Sequence, residues 1–169
     1  MMKRYLVAML LLFSFSLTGS VTEKNKKRIK SLKKLKQKDY KKFKYSETIL
    51  SQEVKRTWQL SCEELDCKVE YSRRDIPNSK EYNYEKEMKI SGEKEKEEIV
   101  NNIAKGMLKL QKGTAVTTNI LWESVLILDN GSAYYGDAQN EEFYPILDRL
   151  LGENFEEIEE EIEGKIMEK

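Results

Sequence analysis

A pair of cysteines within alternating sequence is the strongest constraint on how this chain folds. Apolar residues occupy even positions of one stretch: Leu50, Val54, Trp58, Leu60 and Cys62. The alternation resumes at Cys67 and continues through Val69 and Tyr71. A period of two is typical of a β-strand with one buried face. The four-residue connection 63–66 therefore predicts a hairpin in which Cys62 and Cys67 lie opposite each other, within reach of a disulfide.

Other uses of the two cysteines have less support. A CxxC redox motif has two intervening residues, whereas Cys62 and Cys67 are separated by four, and the chain has no histidine to complete a zinc site. Free structural thiols are the competing interpretation, because a disulfide persists only in an oxidising compartment. Without histidine the chain also has no His-based triad and no imidazole base. We assign no catalytic residue, no cofactor and no metal ligand from the sequence.

The elements after the hairpin predict an α+β domain. A third strand is indicated over 82–90, and a helix over 93–112, where acids fill the first turns and lysines the last. Residues 114–128 favour strand, and two acidic helices are predicted over 140–151 and 153–169. Grouped strands predict an antiparallel sheet of about five strands with a packed central helix, a basic N-terminal helix and the two acidic C-terminal helices.

One predicted strand is apolar on both faces. Leu126, Ile127 and Leu128 are consecutive, and the Asn130-Gly131 pair that follows is a strong hairpin signal. Continuous apolar runs are typical of strands that are buried on both sides. We therefore expect this hairpin to lie centrally in the sheet.

The first 20 residues have the organisation of an export signal. Lys3 and Arg4 precede an uncharged run over 5–17, and the small residues Thr18, Gly19 and Ser20 close it. The run has about 13 residues, whereas a helix needs about 20 to span a bilayer. We expect residues 1–20 to be a signal peptide, and the protein to be exported to a bacterial periplasm or cell envelope or to the exterior.

The end of this signal resembles a bacterial lipobox. In that motif a leucine, a small residue and a glycine or alanine precede the lipid-bearing cysteine, and Leu17, Thr18 and Gly19 match the first three positions. Ser20 stands in place of the cysteine, so no lipid can be attached there. The resemblance implies either ordinary signal cleavage near Gly19 to Val21 or a variant of a lipoprotein layout.

Residues 21–45 are predicted to form a Lys-rich tether or basic amphipathic helix. Residues 24–44 contain eleven lysines and Arg28 but only one acid, Asp39. Residues 141–163 have the opposite balance, with ten acids and one base, Arg149. The segment suits a solvated tether or an anionic membrane surface, and nucleic acid is the least favoured partner because aromatics are sparse. The side chains expected to contact a membrane or an anion are Lys26, Lys27, Arg28, Lys30, Lys33 and Lys34. This basic flank also supports an alternative, a membrane-anchored protein with a cytoplasmic domain.

The remaining residues, 46–169, are predicted to form a single domain, and we expect its function to be binding. The aromatic residues expected to form a partner surface are Tyr82, Tyr84, Trp122, Tyr134 and Tyr135, with burial in the core as the competing interpretation. The expected partner is an envelope or surface protein. The alternative is an exported hydrolase, which requires two carboxylates with perturbed pKa values in one pocket.

The export signal predicts a shortened native protein. Mass spectrometry of protein isolated from its natural cells should show the loss of about 20 N-terminal residues, because signal peptidase cuts after the small-residue stretch. A native mass that includes Met1 would contradict this prediction.

Overall fold

Six strands of the described chain form one antiparallel sheet, and three helices accompany them. The computed structural model describes residues 41–110, 120–136 and 138–167. The elements are β1 (Lys42–Leu50), β2 (Val54–Glu63), β3 (Asp66–Asp75), β4 (Lys80–Lys89), α1 (Glu93–Leu110), β5 (Leu121–Leu128), β6 (Ala133–Gly136), α2 (Tyr144–Leu151) and α3 (Phe155–Met167). The predicted α+β class is confirmed, with six strands instead of about five.

The strand order is β4-β3-β2-β1-β5-β6, so β1 lies between β2 and β5. The alternating stretch from Leu50 to Cys62 predicted one strand, and this was wrong, because the turn at 51–53 separates the end of β1 from β2. Ser51 closes that turn, since its backbone N–H donates to the carbonyl of Val54 at 2.9 Å. The β5–β6 hairpin was predicted to lie centrally in the sheet, and this was wrong, because β6 is an edge strand.

The N-terminal helix prediction is wrong at its C-terminal end. Residues 42–45 belong to β1, where Phe43 and Tyr45 are buried opposite Cys62 and Leu60 of β2. These two aromatics continue the alternation of a strand, and their burial against β2 favours a strand over a helix. Residues 21–40 of the predicted tether or helix, with the six basic side chains expected to contact a membrane or an anion, lie outside the described residues.

One face of the sheet is buried and the other is open. Side chains on the buried face come from alternate positions: Phe43, Tyr45, Glu47, Trp58, Leu60, Cys62, Cys67, Val69, Tyr71, Ser124, Leu126 and Leu128. The helices complete this core with Ile99, Val100, Ile103, Met107, Ile146, Leu147, Leu151, Ile158 and Ile162. The intervening strand residues, such as Thr57 and Lys44, face the opposite side and are half-buried or exposed. We call that side the open face.

The predicted disulfide is formed. Cys62 and Cys67 are directly opposed in the β2–β3 register, with a Cα–Cα distance of 4.1 Å, and their sulfur atoms are bonded. Only Glu64 and Leu65 form the connection, because the strands extend to Glu63 and Asp66. Both cysteines are buried, on the helix-covered face of the sheet.

The acidic helix α3 is held by two arginines of the sheet. Arg56 and Arg73 are cross-strand neighbours, so their charges repel unless acids separate them. Arg56 donates to Glu159 at 3.3 Å and to Glu163 at 2.7 Å, and Arg73 also pairs with Glu163. Glu159 also accepts a hydrogen bond from Trp58 Nε1 at 2.6 Å. Arg56 lies among the apolar residues on the buried face of β2, and its ion pairs anchor α3 there.

Asn140 joins the sheet, α1 and the turn before α2. Its backbone N–H donates to Glu47 Oε1 at 3.0 Å, and its side-chain Nδ2 donates to the carbonyl of Ile103 at 3.1 Å. Its Oδ1 accepts from the backbone N–H of Glu142 at 3.2 Å. The side chain fits against α1 because residue 106 is glycine: a Cβ there would lie 1.6 Å from Asn140 Oδ1.

Gly106→Ala should therefore destabilise the protein by about 3 kcal/mol or more, since overpacking here displaces a buried, hydrogen-bonded amide. Urea denaturation measures the change. Gly164→Ala in α3 is the matched control, because its Cβ would meet nothing within 4 Å and alanine is the better helix former by about 1 kcal/mol. Equal effects of the two substitutions would contradict the packing argument.

Candidate functional site

Glu47 is a buried carboxylate in the centre of the sheet. Its residue is 2 % exposed, and its cross-strand neighbours are Trp58 and Ser124. Three donors reach its oxygens: Tyr45 Oη at 3.2 Å, the Asn140 backbone N–H at 3.0 Å and Tyr144 Oη at 3.4 Å. A buried carboxyl with this many donors is costly to leave unpaired, so it orders the groups around it.

Burial raises the pKa of Glu47 to about 7, although the hydrogen bonds from Asn140, Tyr45 and Tyr144 oppose that shift. Burial also raises the pKa of both tyrosines, and the Glu47 charge adds to the effect. The Ser124 hydroxyl is buried in the same cluster, close to Tyr45. Among the described residues, protein groups therefore enclose the Glu47 carboxyl on all sides.

A second carboxylate with a raised pKa is Glu159, whose shift is caused by burial and opposed by Trp58 and Arg56. It is ion-paired with Arg56, whereas Glu47 is bonded to neutral donors. The two acids hold different elements in place. No cavity found within the described residues is lined by both.

A cavity lies at one end of the sheet, near the disulfide. It has a volume of about 860 Å³ and is lined by Phe43, Met88, Ile127, the disulfide and a ring of charged residues. Two pairs in that ring neutralise each other: Lys42 with Glu63 at 2.8 Å, and Lys89 with Asp66 at 3.2 Å. A neutralised rim of this kind selects no particular charge in a ligand.

An exposed apolar stripe lies on the part of the open face that β1, β5 and β6 form. The stripe consists of Leu50, Leu121, Val125, Ile127 and Tyr135. The exposed fractions are 62 % for Leu121, 41 % for Tyr135, 40 % for Ile127 and 37 % for Leu50. The register pairs Leu50 with Leu121, and Val125 with Tyr135, so these side chains are neighbours. In contrast, the middle of the open face carries Ser, Thr and Gln side chains.

The aromatic residues predicted to form a partner surface do not come together. Tyr82 and Tyr84 lie half-buried on β4, at one edge of the sheet. Trp122 is half-buried on β5, and Tyr134 is buried on β6, both on the helix-covered side near the other edge. Tyr135 alone lies on the open face, within the stripe.

Sequence reasoning missed Glu47, Asn140 and the stripe. A lone acid between Tyr45 and Ile49 on the apolar face of a strand is a usable signal for a buried carboxyl. The stripe also had a signal, the apolar run at 126–128, which we interpreted as a central strand. The bonds of Asn140 to Glu47 and Ile103 had no such signal, because they join residues that are distant in sequence.

Comparison with known proteins gives no relative for this chain. No protein-family model, no curated protein and no solved structure matches it. Within the described ranges, no group of three or more Cys, Asp or Glu side chains is arranged to hold a metal ion. Among the helices of residues 41–110, 120–136 and 138–167, none is long and apolar enough to cross a membrane.

Glu47→Gln should stabilise the protein above pH 7 by about 1–3 kcal/mol, because a neutral amide replaces a buried charge. The folded pKa of Glu47 is raised above its unfolded value of 4.5, so the contribution of Glu47 to stability falls as pH rises from 4.5 to 7 and is level above that. Urea denaturation at pH 5 and pH 8 measures both proteins.

The control for this prediction is Glu156→Gln, at an exposed position of α3. The free energy of unfolding of this control should have the same pH dependence as that of the wild type. A Glu47→Gln protein that is less stable than wild type at pH 8 would show that the carboxylate is the favoured form.

Proposed function

We propose that this chain is a small exported protein of the cell envelope or exterior that acts as a non-catalytic binding module, and that the apolar stripe contacts its partner protein. Residues 1–20 serve as the signal, and residues 21–45 link the domain to its surroundings as a Lys-rich tether. This proposal includes the envelope or surface partner expected from the sequence.

The observation that carries the proposal is the second apolar face of β5. Strands with apolar side chains on both faces are normally covered on both faces. In β5, Leu126 and Leu128 lie beneath helices, but Leu121 and Ile127 face the open side without cover from the described chain. Exposed apolar side chains that cluster on one surface, here on both sides of Glu123, are typical of a protein-interaction site.

The disulfide supports export. Cys62 and Cys67 close a bond that would be reduced in most cytosols, and an exported domain of this size gains stability from it. On the chain-entropy model, a loop this short contributes about 2 kcal/mol.

Carboxylate catalysis has less support than binding. The hydrolase alternative requires two acids that converge on one accessible pocket. Glu47 is enclosed by Tyr45, Tyr144 and Asn140, and its hydrogen bonds account for a structural role. The alternative with a cytoplasmic domain is tested by the native mass of the protein.

Photocrosslinking tests the stripe. Glu123 is exposed between Leu121 and Val125, and a photoreactive amino acid at that position should form an adduct with one partner protein in intact cells. Addition of Leu121→Lys and Ile127→Lys to the same chain should reduce the adduct at least tenfold, because two charges replace the apolar contact surface.

Ile76→Lys provides the matched control. Ile76 is 41 % exposed but lies in the β3–β4 loop, outside the stripe, so its substitution should leave the adduct intact. An adduct that survives the two stripe substitutions would overturn the proposed surface. The absence of any protein adduct in cells would overturn the proposed binding function.

A further inference from the structure

The edge strand β4 presents a long row of unpaired backbone groups. It pairs with β3 through ten consecutive register positions, from Lys80 opposite Asp75 to Lys89 opposite Asp66, without a bulge. On its other side no described strand pairs with it. About half of the N–H and C=O groups of such a strand point outward, over a length of about 33 Å. The opposite edge, β6, has only four residues.

This edge lacks several of the features that usually block strand addition. Proteins protect edges with prolines, bulges, short strands, covering segments or charged side chains, including charges that point inward. β4 has no proline and no bulge. Its inward-pointing Lys86 is already paired, because it donates to the carbonyl of Leu151 and lies 3.4 Å from Glu153. An extended segment can therefore add to it with regular backbone hydrogen bonds.

A groove lies beside β4 on the helix-covered side. Its volume is about 520 Å³, and Tyr82 and Tyr84 of β4 line it together with Ile158, Glu161 and Ile162 of α3. Alternate side chains of an added strand would point toward this side of the sheet. The aromatic rings and isoleucines therefore favour apolar residues at the positions that reach the groove.

On the open face the outermost column of side chains is acidic. Glu81, Glu85 and Glu87 are exposed there, with Asn83 between them. Glu85 pairs with Lys68 at 2.8 Å, and the only base in the column, Lys89, pairs with Asp66. Cross-strand neighbours of opposite charge stabilise a sheet, so the remaining positions of an added strand favour lysine or arginine.

We propose that β4 accepts an extended segment of a partner protein as a seventh strand, and that this segment alternates apolar residues with lysine or arginine. The proposal concerns a surface separate from the apolar stripe, so each can fail without the other. Backbone hydrogen bonds supply the common part of the affinity, and the acidic column with the groove supplies the selectivity.

A second copy of this chain fits the edge poorly. Directly opposed residues in an antiparallel pair lie on the same face, which limits the possible registers of β4 with itself. Every register that pairs more than half of the strand places glutamates opposite each other: Glu81 with Glu85, Glu81 with Glu87, Glu85 with itself, or Glu85 with Glu87. Like charges in direct opposition destabilise the pair.

Peptide binding tests the proposal on the chain without residues 1–20. The probe is a fluorescein-labelled eight-residue peptide that alternates lysine with valine, measured by anisotropy in 150 mM salt. We expect saturable binding, at least tenfold weaker binding of a peptide with the same composition in two blocks, and no binding of the glutamate–valine analogue. If the two lysine peptides bind with equal affinity, their charge alone accounts for binding, and the proposal is overturned.

Two further measurements locate the peptide. Glu81→Lys combined with Glu87→Lys should weaken binding at least tenfold, whereas Glu123→Lys with Glu156→Lys makes the same charge change elsewhere and should weaken it less than twofold. All four positions are exposed, so the variants should keep the circular dichroism of the wild type. Binding that responds equally to both pairs would overturn the assigned site.

Hydrogen exchange reports on strand formation itself. The peptide should slow exchange of β4 amides, and N-methylation of every second peptide residue on the bonding edge should abolish binding. Unchanged exchange in β4 would overturn strand addition. If the peptide binds only after residues 21–40 are also removed, that segment is the natural occupant of the edge. If the protein forms concentration-dependent dimers that the peptide blocks, a second copy is the occupant. Either result overturns the proposal. Stripe substitutions should leave peptide binding intact.

Discussion

The contact between Asn140 and Glu47 holds the sheet, the central helix and the C-terminal helices together. Glu47 is buried in the middle of β1 and accepts the backbone N–H of Asn140, while the Asn140 side chain bonds the carbonyl of Ile103 in α1. The absence of a side chain at Gly106 makes this approach possible. Polar groups in a protein interior must be paired, so this small set of bonds specifies one arrangement of three elements around an otherwise apolar core.

The uneven cover of the sheet gives the molecule its two candidate interaction surfaces. Helices α1, α2 and α3 bury one face, and the ion pairs from Arg56 and Arg73 fix α3 there. The open face retains the apolar stripe, and β4 retains an unpaired edge. Both surfaces suit a protein partner, one through apolar contact and the other through backbone pairing.

Local patterns in the sequence were sufficient for much of the fold. Alternation identified β2, β3 and the opposed cysteines, and the Asn130-Gly131 pair identified the second hairpin, because turns and strand faces depend on near neighbours. The helix over 93–110 followed from its charge order and apolar spacing. The start of β1 could not be predicted, because Phe43 and Tyr45 acquire their burial from Leu60, Leu126 and α2, which are remote in the chain.

The sequence by itself determined the α+β class, the disulfide pairing and the charge asymmetry of the chain, since each depends on composition or on residues close in sequence. Only the tertiary structure decided which apolar residues stay exposed, which strand lies at the edge and which carboxylate is buried. These properties depend on strand order, and strand order is set by contacts between distant residues. Leu126 and Ile127 show the difference: they are adjacent in one apolar run, yet one is in the core and the other faces solvent.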